Sequence, residues 1–214
     1  MTDAWLASGV IAVVRLPESA GLGAVATALA AGGVSALEIT LTTPGALDAI
    51  AELSSQGAGS VVGAGTVLDE KGARDVIAAG ARFVVSPTLD RSVVRYCRDK
   101  GVACVPGAFS PTELLEAWRA GASLVKLFPA SAVGPRYLRE VLAPLPFLRV
   151  VPSGGVSLDN AGDWIRAGAV AVSVGSALVR SSDVVGGEAA LTARARALVE
   201  NVAAARGPLA GTPA

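Results

Sequence analysis

The 214-residue chain is apolar, electrically balanced and free of histidine. Hydrophobic residues make up 52% of it, and 18 lysines and arginines match 18 aspartates and glutamates. This balance gives no indication of a nucleic acid or an anionic membrane surface as a partner. Without histidine the commonest general base and zinc ligand are missing, which excludes His-dependent triad hydrolases and His-ligated metal sites.

The sequence carries no membrane or targeting signal. No stretch of about 18 residues is free of charges and turn residues, so no transmembrane helix is predicted. The segment from Met1 to Trp5 lacks the basic region and apolar core of a signal peptide, and we expect a cytoplasmic protein. Cys97 and Cys104 match no metal or redox spacing, and we predict that both are unpaired packing residues.

After a short predicted helix over residues 2–8, the chain repeats one unit. Each unit is a short β-branched run, a small loop and an Ala/Leu-rich helical stretch. The predicted strands cover residues 10–16, 36–41, 60–63, 82–86, 102–106, 123–128, 148–152 and 170–175. The predicted helices cover residues 19–31, 45–55, 70–79, 91–100, 112–120, 136–142, 158–167 and 188–205.

This strict alternation predicts the fold class. Strands that alternate with helices are expected to be parallel, with right-handed crossovers. Eight units are the number that closes a (β/α)8 barrel, whereas an open doubly wound sheet has about five or six strands. We predict an α/β protein with one TIM-barrel domain over residues 1–206 and a short N-terminal capping helix. Residues 207–214 are predicted to form a flexible tail.

Lys126 lies in an apolar run, from Val125 to Pro129, where an ammonium group is costly to bury. Burial lowers the pKa of a lysine and increases the neutral amine, the form that attacks a carbonyl. Glu38 lies in an alternating strand whose period turns it, with Thr40 and Thr42, toward the barrel interior. We interpret Lys126 and Glu38 as nucleophile and acid–base. A lysine that merely snorkels to the surface, or a structural ion pair, is the alternative.

Two glycine-rich turns follow the last two strands. Ser153-Gly154-Gly155 precedes a helix, and Gly175-Ser176 ends the eighth strand. Barrel enzymes commonly hold a phosphate at these positions with backbone N–H groups. Ordinary turn chemistry is the alternative for each turn.

Arg15 ends the first strand, where a guanidinium could hold a substrate carboxylate through two hydrogen bonds. A salt bridge to Glu38 or plain exposure at the rim are the alternatives. The segment Gly63-Ala64-Gly65-Thr66 lacks the third glycine of a dinucleotide fingerprint, so no Rossmann cofactor is expected.

Seven short motifs occur in order along the chain, each at a strand end. They are LEITL (37–41), GAGTVL (63–68), VSP (85–87), VPG (105–107) with PTE (111–113), VKLFPA (125–130), PSGG (152–155) and VGS (174–176). In this order they resemble the motifs of the 2-keto-3-deoxy-6-phosphogluconate (KDPG) and 4-hydroxy-2-oxoglutarate (KHG) aldolase family. The likeness runs from residue 10 to residue 178. It implies a class I aldolase without a metal or other cofactor, built on a TIM barrel that assembles as a homotrimer.

The resemblance implies a role for each matching position. Lys126 is similar to the Schiff-base lysine and Glu38 to the general acid–base. The remaining positions form a keto-acid set and a phosphate set. They are Arg15, Thr40, Thr66, Pro87 and Phe128 for the keto acid, and Ser153, Gly154, Gly155, Gly175 and Ser176 for the phosphate. Well-known members carry an arginine for the substrate carboxylate where this chain has Thr42, and we hypothesise that Arg15 supplies that charge.

We therefore expect cleavage of KDPG to pyruvate and glyceraldehyde 3-phosphate. Cleavage of 4-hydroxy-2-oxoglutarate to pyruvate and glyoxylate stays open as a further activity. The alternatives are an aldolase for the galactonate epimer and a barrel that binds a phosphorylated sugar without turnover. The sequence does not decide between epimers, because that choice depends on one or two hydrogen bonds in the pocket.

Overall fold

We describe a computed structural model of the chain, covering residues 4–57, 59–184 and 186–206. The predicted tail over residues 207–214 and the start of the predicted N-terminal helix lie outside the described residues. What the structure describes of that helix is a 3-10 helix at Ala4–Leu6. Its Trp5 stacks on Phe83 with ring centroids 4.5 Å apart, which fixes the helix against the first residue of a strand.

Within these residues the structure has nine strands and eight α-helices, which alternate except where two strands follow each other directly. The strands are β1 (Val10–Val14), β2 (Ala36–Thr40), β3 (Val61–Gly65), β4 (Phe83–Val85), β5 (Ala103–Val105), β6 (Gly107–Ala108), β7 (Val125–Leu127), β8 (Val150–Pro152) and β9 (Val172–Val174). The helices are α1 (Leu22–Ala31), α2 (Ala46–Gln56), α3 (Glu70–Ala78), α4 (Arg91–Asp99), α5 (Pro111–Arg119), α6 (Pro135–Leu142), α7 (Ala161–Arg166) and α8 (Glu188–Arg206). Two further 3-10 helices lie at Ala130–Ala132 and Ser181–Val184.

The strands pair in parallel and form two sheets. One sheet has six strands in the order β5-β4-β3-β2-β1-β9, and the other has three in the order β6-β7-β8. The predicted α/β class and parallel strands are therefore confirmed.

Hydrogen bonds connect the two sheets at both junctions. At one junction, the Cys104 carbonyl on β5 accepts a hydrogen bond at 3.0 Å from the N–H of Ser123, two residues before β7. The Pro106 carbonyl, between β5 and β6, accepts a hydrogen bond from the Lys126 N–H at 2.9 Å. The strand β5 lies within the predicted strand over residues 102–106, and the short strand β6 that follows Pro106 was not predicted. At the other junction, Ser153 and Ser173 form an isolated parallel bridge between the ends of β8 and β9.

Two apolar clusters cover the two faces of the sheets. The larger lies between strands and helices and includes Leu37, Ile39, Val125 and Leu127. The smaller occupies the opposite face, which we call the inner face. It is formed by Leu6, Ile11, Ala36, Phe83, Val85, Val105, Leu124, Val151 and Ala171. Side chains alternate between the faces along each strand, so Glu38 and Lys126 belong to the inner face.

Side-chain caps begin several of the helices that follow the strands. Asp69 and Asp90 accept hydrogen bonds from the first backbone N–H groups of α3 and α4, and Ser110 with Glu113 forms a capping box on α5. These caps define the loops at the carboxyl ends of the strands. Among the helices described, none is both long and apolar enough to cross a membrane.

Candidate active site

Glu38 lies on the inner face of β2 and is almost completely buried, with 1% of its surface exposed. Its carboxyl group packs against Gly65 on the adjacent strand β3. A Cβ atom added to Gly65 would overlap Glu38 Oε1 and lie 2.7 Å from the carboxyl carbon. Gly65 does not have the positive φ angle that favours glycine, so glycine is needed here for space alone.

The buried carboxyl group of Glu38 is poorly compensated. Its Oε2 atom has no hydrogen-bond partner. Burial raises the pKa of Glu38, and the positive charges of Lys126 and Arg15 partly oppose that rise. A carboxyl group with a raised pKa exchanges its proton closer to neutral pH, as acid–base catalysis requires.

Lys126 occupies the inner face of β7 and has 8% of its surface exposed. Its Nζ atom lies 5.1 Å from the centroid of the Phe128 ring, within range of a cation–π contact. The Lys126 charge acts on Glu38, yet among the described residues no ion pair joins the two groups within 4.0 Å. The two groups are thus electrostatically coupled without forming an ion pair.

Arg15 directly follows β1, and its side chain is exposed at the carboxyl end of the strands. Thr40, the last residue of β2, is fully buried, and its hydroxyl donates to the Val14 carbonyl at 3.3 Å. The Thr42 hydroxyl lies 3.0 Å from that of inward-facing Thr40, which is consistent with the predicted inward direction of Thr42. The Thr43 N–H bonds to the Thr40 carbonyl at 2.9 Å, and the resulting turn leaves Thr42 exposed beyond the strand.

Thr66 has a left-handed backbone, with φ of 62° at the end of β3. It is the one non-glycine residue with positive φ in the part of the chain that the structure describes. Such a conformation costs on the order of 1–3 kcal/mol for a β-branched residue and is typical of functional sites. Pro87, at the end of the next strand, is half-buried, and a Cβ atom at Gly107 would overlap its carbonyl.

The first glycine-rich turn is shaped by left-handed glycines. Gly154 and Gly155 have φ angles of 83° and 78°, and a Cβ atom at Gly155 would lie 2.6 Å from Ser131 Cβ. The Ser153 N–H is already bonded to the Leu127 carbonyl at 2.9 Å, so Ser153 offers only its side chain to a ligand. Phe128 lies between Lys126 and this turn, with a ring atom 3.3 Å from a Cβ atom placed on Gly154.

The second turn begins at Gly175, directly after β9. The Gly175 carbonyl accepts hydrogen bonds from Leu178 and Val179 at 2.8 and 2.9 Å, which makes a single helical turn. The first N–H groups of such a turn, here those of exposed Ser176 and its successor, have no acceptor within the turn. The bridge between β8 and β9 brings the two glycine-rich turns to neighbouring strand ends.

Residues 3–193 match the sequence profile described as "Aldolase: KDPG and KHG aldolase". The chain belongs to the KDPG and KHG aldolase family. It is similar to the 2-dehydro-3-deoxy-phosphogluconate aldolase of Pseudomonas aeruginosa, with 41% identity over 157 residues, 73% of this chain and 71% of the relative. It is also similar to a probable 2-dehydro-3-deoxy-6-phosphogalactonate aldolase of Rhizobium meliloti, with 37% identity over 172 residues, 79% of this chain and 81% of the relative.

A solved aldolase of the same family has a similar fold. The KDPG aldolase of Legionella pneumophila superposes with a TM-score of 0.82 at 30% identity, over 91% of this chain and 96% of that one. That crystal structure holds pyruvate as a covalent carbinolamine intermediate. That relative therefore forms a carbon–nitrogen bond to pyruvate.

Cys97 and Cys104 of the present chain are both buried and form no disulfide, as predicted. Among the described residues, no group of three or more His, Cys, Asp or Glu side chains could hold a metal ion. Activity without a metal stays a prediction.

Sequence reasoning missed three residues that shape the site. Gly65 makes space for Glu38, and Thr43 is a fully buried hydroxyl in a turn. Asn160 stands at the start of α7, where its side chain accepts a hydrogen bond from the Ser157 N–H and donates one to the Gly155 carbonyl. This turn explains why α7 begins three residues later than predicted. Of these three residues, only Thr43 could have been found from the sequence, because it is the last of three threonines within four positions.

Proposed function

We propose that the protein is a class I aldolase that cleaves KDPG to pyruvate and glyceraldehyde 3-phosphate through a Schiff base on Lys126. The observation that carries this function is the pairing of Lys126 and Glu38. Both side chains are buried on the inner face, they are electrostatically coupled, and the Glu38 Oε2 atom has no partner. Family membership supports the same reaction class.

In the first half of the reaction, Lys126 acts as the nucleophile. Its neutral amine adds to the C2 ketone and forms a carbinolamine. Loss of water gives a protonated imine, which accepts the electron pair of the bond that breaks next. The Phe128 ring beside Nζ is suited to stabilise this cationic nitrogen.

In the second half, Glu38 moves protons. Its carboxylate removes the proton of the C4 hydroxyl, directly or through a water, as the C3–C4 bond breaks. The electron pair of that bond passes to the imine and forms an enamine, and glyceraldehyde 3-phosphate leaves. The enamine is protonated at C3 and hydrolysed to pyruvate and free Lys126. The raised pKa of Glu38 suits it to both removing and returning a proton.

The other predicted residues are proposed to hold the two ends of the substrate. Arg15 would hold the carboxylate, and Thr66 and Pro87 would line the keto-acid pocket. The two glycine-rich turns and the Ser153 hydroxyl would hold the phosphate. Consecutive left-handed glycines and the first N–H groups of a helical turn support this, because both present backbone donors to an anion.

We also infer that the two sheets close into one (β/α)8 barrel, within a single domain. The hydrogen bond from the Ser123 N–H to the Cys104 carbonyl and the Ser153–Ser173 bridge support closure, because each joins a strand of the six-stranded sheet to the chain beside a strand of the three-stranded sheet. A homotrimer and a cytoplasmic location remain proposals from family resemblance and sequence. Exposed Phe109 and Phe147 are side chains that such an assembly would be able to cover.

Borohydride trapping tests the proposed function. The protein is incubated with pyruvate, reduced with sodium borohydride, digested and analysed by mass spectrometry. We expect the reduced pyruvate adduct on Lys126. The other two lysines, Lys71 and Lys100, are exposed and serve as internal controls. An adduct on either of them, or none at all, would contradict the proposed function and favour a barrel that only binds phosphosugars.

Action on the galactonate epimer is the second candidate function. The similarity to a probable phosphogalactonate aldolase favours it. Both epimers share the pyruvate end, so the trapping experiment does not separate them. Initial cleavage rates on the two phosphorylated epimers and on 4-hydroxy-2-oxoglutarate do. We expect the gluconate epimer to be cleaved fastest.

A further inference from the structure

Three threonine hydroxyls meet beside the backbone of Arg15. They belong to the turn that ends β2. The Thr40 hydroxyl lies 3.0 Å from that of Thr42 and 3.4 Å from that of Thr43. Thr40 also reaches the carbonyl of Val14, and Thr43 reaches the N–H of Leu16. The hydroxyls of Thr40 and Thr43 therefore bond the backbone on both sides of Arg15.

The direction of these hydrogen bonds follows from the available protons. A hydroxyl group donates only one proton. The Leu16 N–H donates to Thr43 at 3.2 Å, and Thr40 donates its proton to the Val14 carbonyl at 3.3 Å. Thr40 can then only accept, so Thr43 donates to it. The result is an ordered hydroxyl relay that runs from Leu16 through Thr43 and Thr40 to Val14.

This relay is buried and replaces strand pairing where β1 has ended. Thr40 and Thr43 are 0% and 1% exposed, and Leu16 is 4% exposed. β1 ends at Val14, so the two residues after it no longer belong to the strand. A buried N–H group needs a partner, and the Thr43 hydroxyl supplies it for Leu16. The backbone at Arg15 is thus held by side chains rather than by a strand ladder.

The Arg15 guanidinium itself is uncommitted. The side chain is exposed, and the described residues give it no hydrogen bond and no ion pair. Its charge nevertheless acts on the buried carboxyl of Glu38. Arg15 directly follows β1, whose Val13 pairs with Glu38, so its backbone lies beside the strand that carries the acid–base. A cation that is free, close to the reacting groups and fixed at its backbone is suited to hold a substrate anion.

We propose that Thr40 and Thr43 are positioning residues that direct Arg15 toward the carboxylate of the keto acid. This assigns Thr40 a supporting role in place of the direct substrate contact predicted from the family. The inference rests on the proposed function, because it requires a keto-acid carboxylate at this mouth. Loss of the relay should weaken carboxylate binding while the chemistry at Lys126 continues.

The test compares Thr43→Val with Arg15→Ala and with the double variant, using pyruvate in the condensation direction. Valine keeps the shape of threonine and removes the hydroxyl. We expect the KM for pyruvate to rise about tenfold in Thr43→Val and more in Arg15→Ala, with kcat changed less than twofold in Thr43→Val. The double variant should match Arg15→Ala alone, because residues that act through one another are not additive.

Two control variants separate positioning from general damage. Thr43→Ser keeps the hydroxyl and should restore the wild-type KM. Thr27→Val removes a threonine hydroxyl that donates to the Gly23 carbonyl on the exposed side of α1, and it should leave the KM unchanged. Circular dichroism establishes that each variant is folded.

The outcomes distinguish the relay from the proposed function. Failure of borohydride trapping in the wild type would overturn the aldolase itself. With trapping intact, an unchanged KM in Thr43→Val would overturn the relay. So would a double variant whose loss is the product of the two single losses. A fall in kcat with no change in KM would likewise contradict it, because it would point to the catalytic pair and not to carboxylate binding.

Discussion

The two sheets hold their functional groups in different ways. In the six-stranded sheet, Glu38 lies on β2 and Arg15 directly follows β1. The surroundings of both residues are set by side chains on neighbouring elements. Gly65 leaves space for the Glu38 carboxyl, and the threonine relay holds the backbone beside Arg15. The three-stranded sheet carries Lys126, whose main-chain N–H is bonded to the carbonyl of Pro106.

Backbone bonds continue along the three-stranded side. The Ser153 N–H bonds to Leu127, and the Ala130 N–H bonds back to the Ser153 carbonyl at 2.8 Å. Main-chain pairing with β1 and β3 holds the backbone of Glu38 as well, so the difference lies at its carboxyl group, which packs against Gly65. A substitution at position 65 should therefore disturb the acid–base more than the nucleophile.

The largest expected effect is a loss of cleavage in Glu38→Gln that leaves imine formation on the other sheet intact. Glu38→Gln removes the proton-transferring group but leaves Lys126 in place. We expect kcat for KDPG cleavage to fall by about 10²- to 10⁴-fold, the usual contribution of a general acid–base. The pyruvate adduct should still be trapped on Lys126. Steady-state kinetics and borohydride trapping on the same sample measure both effects.

Loss of trapping together with cleavage in Glu38→Gln would show that the carboxyl is also required for imine formation. Lys126→Met is the matched variant on the other sheet. It removes the amine while keeping a long apolar side chain, and it should lose cleavage and trapping together.

A smaller effect is expected from the space beside the carboxyl group. Gly65→Ala adds one methyl group where Glu38 Oε1 now lies, on a backbone that alanine can adopt. Displacing a catalytic group by about an ångström can cost up to roughly 10²-fold, so we expect kcat to fall by about 10- to 100-fold. Trapping at Lys126 should stay close to the wild-type level.

Gly23→Ala is the control for this substitution. Nothing lies within 4 Å of a Cβ atom at Gly23, and the residue is on α1, far along the chain from the catalytic pair. Wild-type kcat in Gly65→Ala would refute the role of the glycine, because the carboxyl group would then have moved without consequence.

Much of the fold was readable from the sequence because its signals are local. Strict alternation of β-branched runs and Ala/Leu-rich stretches gave the parallel α/β class, and the period of two placed Glu38 and Lys126 on the inner face. The predicted strand ends were less reliable. The strand β6 after Pro106 was not predicted, and β2 ends at Thr40, one residue before its predicted end.

The rest depends on contacts between distant residues. The segment GAGT does not indicate that Gly65 faces a carboxylate on another strand, because glycine at the end of a strand is common in ordinary turns. The relay beside Arg15 likewise joins hydroxyls to a backbone about 27 positions earlier in the chain. The roles proposed for the site residues stay predictions until the variants are measured.

The smallest expected effect is on the free energy of unfolding, and it has opposite signs for substitutions of Glu38 and Glu113. Burial raises the pKa of Glu38 above its ordinary value of 4.5, so folding favours the protonated form and stability is lost as pH rises through the raised pKa. Glu38→Gln has no charge to bury. We expect it to be more stable than the wild type at pH 8 by about 1–3 kcal/mol, with a smaller difference at pH 5, in urea unfolding.

Glu113 provides the opposite case beside the three-stranded sheet. Backbone N–H groups of Ser110 and Phe109 lower the pKa of this exposed capping carboxylate, so its contribution is present above pH 4.5 and lost as pH falls through the lowered pKa. Glu113→Gln should therefore be less stable than the wild type at neutral pH. If both substitutions shifted stability in the same direction, the poorly compensated state of the Glu38 carboxyl would be refuted, because a well-compensated carboxylate behaves like Glu113.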